Sequence, residues 1–188
     1  MNIIVRPTCS DLCYCRPDTT WERENRDLYS PEYIKEWHWT PVLFARICKA
    51  GKCINARYAS RYYDGINFGI LLYADSGKGL AFASCADHTS ILPLPLFNPV
   101  VMEGEDNGFH LSVNGMERFS CTEGINTGHK TLIEESICKA SGLTSVRIGD
   151  FVAAELAPLE ALPLPDEGEA VIKGQFCGKD IFDFRIVY

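Results

Sequence analysis

Trp37-His38-Trp39-Thr40-Pro41-Val42-Leu43-Phe44-Ala45-Arg46-Ile47-Cys48, followed by Lys49-Ala50-Gly51-Lys52 and then Cys53-Ile54, is the stretch on which the fold depends. Aromatic and β-branched side chains suit a pleated, half-buried surface, so the first segment reads as a strand. The glycine-containing turn after it predicts a β-hairpin whose return strand starts at Cys53. Ala56 to Tyr63 reads as a short helix. Ile66 to Tyr73 is a continuous apolar run, as expected of a strand buried on both faces.

Outward from this centre, Met1 to Val5 predicts a first strand, and Pro7 to Lys35 is polar and turn-prone. Ser76-Gly77-Lys78-Gly79 is a loop, and Pro93, Pro95 and Pro99 exclude a long helix after it. Asn114-Gly115 joins Phe109–Val113 to Met116–Cys121, because both residues tolerate the positive φ of a tight hairpin turn. On that strand His110 points away from the face shared by Phe109 and Leu111. Thr131 to Ala140 predicts a helix capped by Asn126 or Thr127, with Glu134 and Glu135 in its first turns and Ser141-Gly142 as its stop. Phe151 to Leu156 predicts a strand and Pro158 to Pro165 a linker. Ala170–Phe176 and Ile181–Val187 form a last hairpin through Gly178-Lys179. Strands outnumber helices, so the class is α+β with a dominant mixed sheet and a few short helices, in a single domain spanning 1–188.

A chain of 188 residues can bury one core without disulfides or metals. Its net charge of -7 argues against general nucleic-acid binding, which needs a basic footprint. It has no apolar stretch of the ~20 residues that span a bilayer and no uninterrupted apolar region near the N-terminus. A cytoplasmic location is expected. The nine cysteines are odd in number, so a complete disulfide framework is impossible. The six from Cys48 onward are expected to be small buried hydrophobes. Cys9, Cys13 and Cys15 form a C-x3-C-x-C cluster without the second half that a zinc site requires.

Lys49-Ala50-Gly51-Lys52, Ile54 and Ala59-Ser60-Arg61-Tyr62-Tyr63-Asp64-Gly65 resemble the segment after the metal-binding strand of small bacterial fumarylacetoacetate hydrolase-like proteins. Arg16-Pro17-Asp18-Thr19 resembles the family's Lys-Pro-Asp-Ser, and Pro31 through Trp39 its approach to the metal site. Leu111–Gly115 resembles its hairpin, Ile148-Gly149-Asp150-Phe151-Val152 its Pro-Gly-Asp-Val-Ile strand start, and Phe182–Ile186 its last strand. The resemblance runs from about Arg16 to Tyr188 and implies the twisted mixed β-roll of the family's C-terminal domain, assembled as a homodimer.

The same resemblance implies a divalent cation held by an acidic pair on one strand and a later aspartate, since hard cations need oxygen ligands. The matching positions here are Thr40, Val42 and Leu71, which offer no carboxylate. The family's lysine, which stabilises charge on an oxo-acid substrate, falls near Ser84. The lid with its His and Glu pair would precede Arg16, where residues 1–15 hold only a divergent strand and Pro7 to Cys15. The Thr-Gly-Thr-Pro turn is represented by Ala154-Glu155-Leu156-Ala157-Pro158. These losses predict a non-catalytic scaffold without metal or cofactor, acting as a binding or partner subunit. The expected partners are a second copy, an intact relative or a small oxo acid.

The alternative is a metal-independent or rebuilt hydrolase or decarboxylase of small oxo acids, with Asp75, Ser84, Asp87 and His88 as candidates. Sequence neighbours such as Asp87 and His88 seldom form a dyad, because the fold sets the geometry. Glu36, His38 and Asp64 are a further metal candidate near the lost one, against the simpler reading of a solvated face.

Overall fold

The computed structural model describes residues 1–10, 12–99, 108–122, 127–162 and 168–188. The strands are β1 Asn2–Arg6, β2 Tyr14–Pro17, β3 Trp21–Glu22, β4 Leu28–Tyr29, β5 Glu36–Ile47, β6 Tyr63–Asp75, β7 Ser90–Ile91, β8 Phe109–Val113, β9 Met116–Cys121, β10 Phe151–Glu155, β11 Glu160–Ala161, β12 Glu169–Phe176 and β13 Lys179–Val187. Two helices, α1 Leu80–Ala83 and α2 Thr127–Leu143, and two 3-10 turns, Asp18–Thr20 and Ala56–Arg61, complete the described elements.

One sheet runs β2-β1-β10-β5-β6-β7-β3, with β11 also on β5, and the second runs β4-β13-β12-β8-β9. Pairs β1–β10, β3–β7 and β4–β13 are parallel and the others antiparallel, as expected of a mixed α+β protein. The long β5–β6 ladder is the spine. Strand alternation sends Leu43, Ala45, Phe68 and Ile70 to one face, where they meet Phe109, Ile172 and Phe182 of the second sheet and Ile133 and Ile137 of α2. It sends Val42, Phe44, Leu71 and Tyr73 to the other face, with Ile3, Val5, Phe151 and Ala153. Burial of β6 on both faces explains its near-continuous apolar sequence.

Several boundaries differ from the sequence expectation. The return strand of the central hairpin begins at Tyr63, not Cys53. Gly51 instead bridges to Val146, and Ile54 donates its N–H to Ser141 Oγ at 2.8 Å, so this turn is held by the end of α2. Ser141-Gly142 does not stop the helix. Ser141 is buried in it with its hydroxyl on Cys138 O at 2.9 Å, and the helix continues to Leu143.

The helix also starts earlier, at Thr127, while Asn126 lies outside the described residues. Glu134 and Glu135 are therefore mid-helix, where they meet Tyr63 Oη at 3.2 Å and Arg6 Nη1 at 3.1 Å. The last turn is Cys177-Gly178, not Gly178-Lys179, with φ of 51° and 69°. The stretch read as the Pro158–Pro165 linker contains β11, and 163–165 lie outside the described residues.

The cysteines also depart from expectation. None of the six from Cys48 onward is fully buried, and Cys53, Cys85 and Cys177 are exposed. Cys53 and Cys177 sit at positive φ in turns at the surface. Among the described residues no disulfide joins any of the nine.

Candidate functional site

The second face of the β5–β6 ladder brings together the positions singled out in the sequence. Thr40 lies directly opposite Leu71, and Val42 opposite Gly69. Glu155 of β10 pairs with Val42 on the other side. All of Thr40, Val42 and Leu71 are fully buried. Val42 and Leu71 belong to an apolar cluster with Phe44, Tyr73 and Phe151, against which Tyr14, Trp21 and Leu96 pack. Trp37, Trp39 and Phe68 point to the opposite face and fill none of this space.

These residues do not fit a divalent cation. Hydrocarbon side chains supply no donor, and the Thr40 hydroxyl is committed to Ala157 O at 2.7 Å. The segment before Arg16 lies against the same place. The Thr8 N–H donates to Glu155 Oε2 at 3.0 Å, and its hydroxyl reaches Ala157 O at 3.4 Å.

A buried polar chain borders the apolar patch. Tyr73 Oη donates to Glu155 Oε1 at 2.7 Å and shares a hydrogen bond with Tyr14 Oη. Burial pushes the Tyr14 hydroxyl up to about 12 and the Tyr73 hydroxyl well above the ordinary tyrosine range. Arg16 lies 4.9 Å over the Tyr73 ring and is almost fully buried. Its Nη2 donates to Thr89 Oγ1 at 2.6 Å and Leu72 O at 2.8 Å, while Nε and Nη1 have no hydrogen-bond partner among the described residues. Burial lowers the pKa of its guanidinium, and the nearby Tyr73 opposes that shift. None of Tyr14, Arg16, Tyr73 or Glu155 was assigned a role from sequence. The one available signal was the i, i+2 spacing of Tyr14 and Arg16, which puts both on one strand face.

The other candidates separate. Ser84 is buried with its hydroxyl on Ala81 O at 3.2 Å, closing its own short turn. His88 pairs with Glu22, not Asp87: Nδ1 lies 2.9 Å from Glu22 Oε2, and Glu22 is buried. His88 adopts φ 59°, a left-handed conformation uncommon outside glycine. His88 and Asp87 line a 380 Å³ cavity with Tyr33, Trp37, Arg26 and Tyr29, next to a 240 Å³ cavity bounded by Phe82 and Cys85. His110 is half-exposed on Glu117 at 2.8 Å, pointing away from the face of Phe109 and Leu111.

Glu36, His38 and Asp75 converge at the open end of β5–β6, with one donor atom of each within 4.8 Å of the others. Asp64 is not part of this group. It lies near the opposite end of the ladder, bonded to Arg46 at 3.0 Å.

The architecture is that of the fumarylacetoacetate hydrolase family. The chain superposes on fumarylpyruvate hydrolase from Pseudomonas aeruginosa, a structure in complex with Mn2+ and pyruvate, with a TM-score of 0.77 and 17% identity, covering 100% of this chain and 89% of the other. It matches maleylpyruvate hydrolase from Sphingobium sp. SYK-6 with a TM-score of 0.76 and 16% identity over 99% and 70% of the two chains. It matches 5-carboxymethyl-2-hydroxymuconate delta-isomerase from Mycobacterium smegmatis with a TM-score of 0.75 and 15% identity over 99% and 78%. No protein-family model and no curated relative matches the sequence.

Proposed function

We propose that this chain is a non-catalytic, cytoplasmic member of the fumarylacetoacetate hydrolase fold that acts as a binding or partner subunit. The observation that carries this reading is the burial of Val42 and Leu71 in an apolar cluster at the positions matching the family's carboxylate ligands. A cation there would meet the hydrocarbon of Val42 and Leu71 and a single carboxylate, Glu155, whose two oxygens already accept from Tyr73 Oη and the Thr8 N–H, so the loss of solvation would be poorly compensated. Arg16 supports the binding role. Among the described residues two nitrogens of this buried guanidinium have no hydrogen-bond partner, and a carboxylate can accept two parallel N–H bonds from such a group. Pyruvate, present in the Pseudomonas structure, is a fitting probe. The scaffold is retained as a surface for a second copy or an intact relative.

The test is turnover of oxaloacetate and of an acylpyruvate with Mg2+ or Mn2+ in excess, alongside recovery of a tagged chain from its native cells. The expected result is no acceleration and recovery as a homodimer or with a relative that retains the acidic residues. Metal-dependent turnover by the chain alone would overturn the reading.

One observation favours a second reading, a metal-independent hydrolase or decarboxylase. His88 is oriented through Nδ1 by a buried carboxylate and faces a cavity, the arrangement that prepares an imidazole as a general base. Turnover without metal that disappears in His88→Gln, with the fold intact, would select this reading.

A further inference from the structure

The β5–β6 ladder continues past its apolar centre to an open end, where Glu36 and Asp75 form the last cross-strand pair. Period-two alternation places Glu36 and His38 on the face that also carries Thr40 and Val42, and Asp75 on the face of Tyr73 and Leu71. Three side chains of metal-ligating type therefore project together from two rigid strands. One donor atom of each lies within 4.8 Å of the other two, and His38 Nε2 is 3.8 Å from Glu36 Oε2. Ligand bonds of ~2.0–2.2 Å place neighbouring donors roughly 3–4 Å apart, so a small side-chain rotation brings the set to coordinating distance.

Two further observations point to a cation. Like charges directly opposite one another on an antiparallel ladder destabilise it. Among the described residues, neither Glu36 nor Asp75 has a Lys or Arg within the 4.0 Å of an ion pair, so the carboxylates face one another without a fixed positive charge. Asp75 is also held in place, since its Oδ1 accepts the Gly77 N–H at 2.7 Å, which leaves Oδ2 available. The residue beside His38 on β11 is Ala161, whose small, exposed side chain leaves room for water.

We propose that Glu36, His38 and Asp75 form a binding site for a divalent transition-metal ion, with water completing its coordination. One imidazole and two carboxylates suit Zn2+ or Co2+ better than Mg2+ or Ca2+, which prefer oxygen donors alone. The site lies on the same sheet face as Thr40, Val42 and Leu71 but uses none of them. The ion joins β5 to β6 at the end of the ladder and offsets the Glu36–Asp75 repulsion. This site goes beyond the binding-subunit reading and stands or falls separately, because metal-dependent oxo-acid turnover is not its readout.

The test uses the full chain, reduced and stripped with a chelator, then titrated with Co2+ and Zn2+. Calorimetry gives stoichiometry, and the Co2+ absorption spectrum distinguishes nitrogen and oxygen donors from thiolates, which add a near-ultraviolet charge-transfer band. The expected result is one ion per chain, no thiolate band, and a loss of affinity of about tenfold or more in His38→Ala and in Asp75→Asn. Circular dichroism of both variants should be unchanged. A Cys9→Ser/Cys13→Ser/Cys15→Ser variant should bind as the parent does. The proposal is overturned if the parent binds no ion, if His38→Ala and Asp75→Asn bind as tightly as the parent, or if binding shows a thiolate band and disappears in the cysteine variant.

Discussion

Thr40 on β5 and Leu71 on β6 stand directly opposite one another across an antiparallel ladder, and both are fully buried. One strand position further, Val42 faces Gly69. The three positions that the family resemblance assigns to a cation's ligands are therefore neighbours on the ladder, as a hydroxyl committed to Ala157 O and two hydrocarbon side chains.

Returning one carboxylate to this cluster should damage the fold. Leu71→Asp removes a buried side chain and inserts a group with no partner, at a cost of about 3–5 kcal/mol. Burial raises the new carboxyl above its unfolded pKa of about 3.9. The charged form is then disfavoured in the folded state, so the electrostatic part of the loss is full at neutral pH and vanishes below about pH 4. Urea unfolding at the two pH values measures this, and equal stability to the parent at neutral pH would contradict the packed cluster.

Gly69 opposes Val42 for a steric reason. A Cβ at Gly69 would lie 2.5 Å from the Ile91 backbone carbonyl oxygen, which cannot rotate away as a side chain could. Gly69→Ala should cost about 1–3 kcal/mol through overpacking, although it adds only one methyl group. Thermal unfolding of the variant checks this, with an unchanged midpoint as the opposing result.

The polar border predicts the response to alkali. Tyr14 and Tyr73 ionise near 10.0 when unfolded, whereas burial pushes Tyr14 up to about 12 and Tyr73 well above its ordinary value. Folded-state values raised in this way give stability that is complete below about pH 10 and is lost as pH rises through the folded values. Tyrosine titration by ultraviolet absorbance should show a late-ionising class among the eight tyrosines, and the alkaline loss of stability should be smaller in Tyr73→Phe. Ionisation of all of them together near pH 10 would contradict the buried Tyr14–Tyr73–Glu155 chain.

Glu36 and Asp75 predict a gain instead of a loss. Without metal, Asp75→Asn removes one of two directly opposed charges and should stabilise the stripped protein by about 0.2–1 kcal/mol, less at high salt. Chemical unfolding at low and high ionic strength checks the sign.

Elements set by local chemistry were readable from sequence. Asn114-Gly115 turns as expected, with φ of 52° and 75°, because two adjacent residues that tolerate positive φ suffice. Elements set by distant partners were not. The return strand begins at Tyr63 because Gly51 and Ile54 are held by the helix end around Ser141 and the residues just after it. Cys177 at positive φ gave no signal in its residue type. For the site, the resemblance located Thr40 and Leu71, and the ladder pairs them. Of the expected set Glu36, His38 and Asp64, the first two come together with Asp75. Only the antiparallel register shows that Asp75 returns opposite Glu36 while Asp64 stays beside Arg46. The buried Arg16 rested on Tyr73, Leu72 and Thr89, contacts that no sequence spacing reveals.

An anomalous difference map from a crystal of this protein grown with Mn2+ and pyruvate shows directly whether the Thr40–Val42–Leu71 cluster takes a cation. No manganese peak is expected within coordinating distance of Thr40, Val42 and Leu71, and any bound ion is expected instead at Glu36, His38 and Asp75. A manganese peak beside Val42 and Leu71 would contradict that expectation.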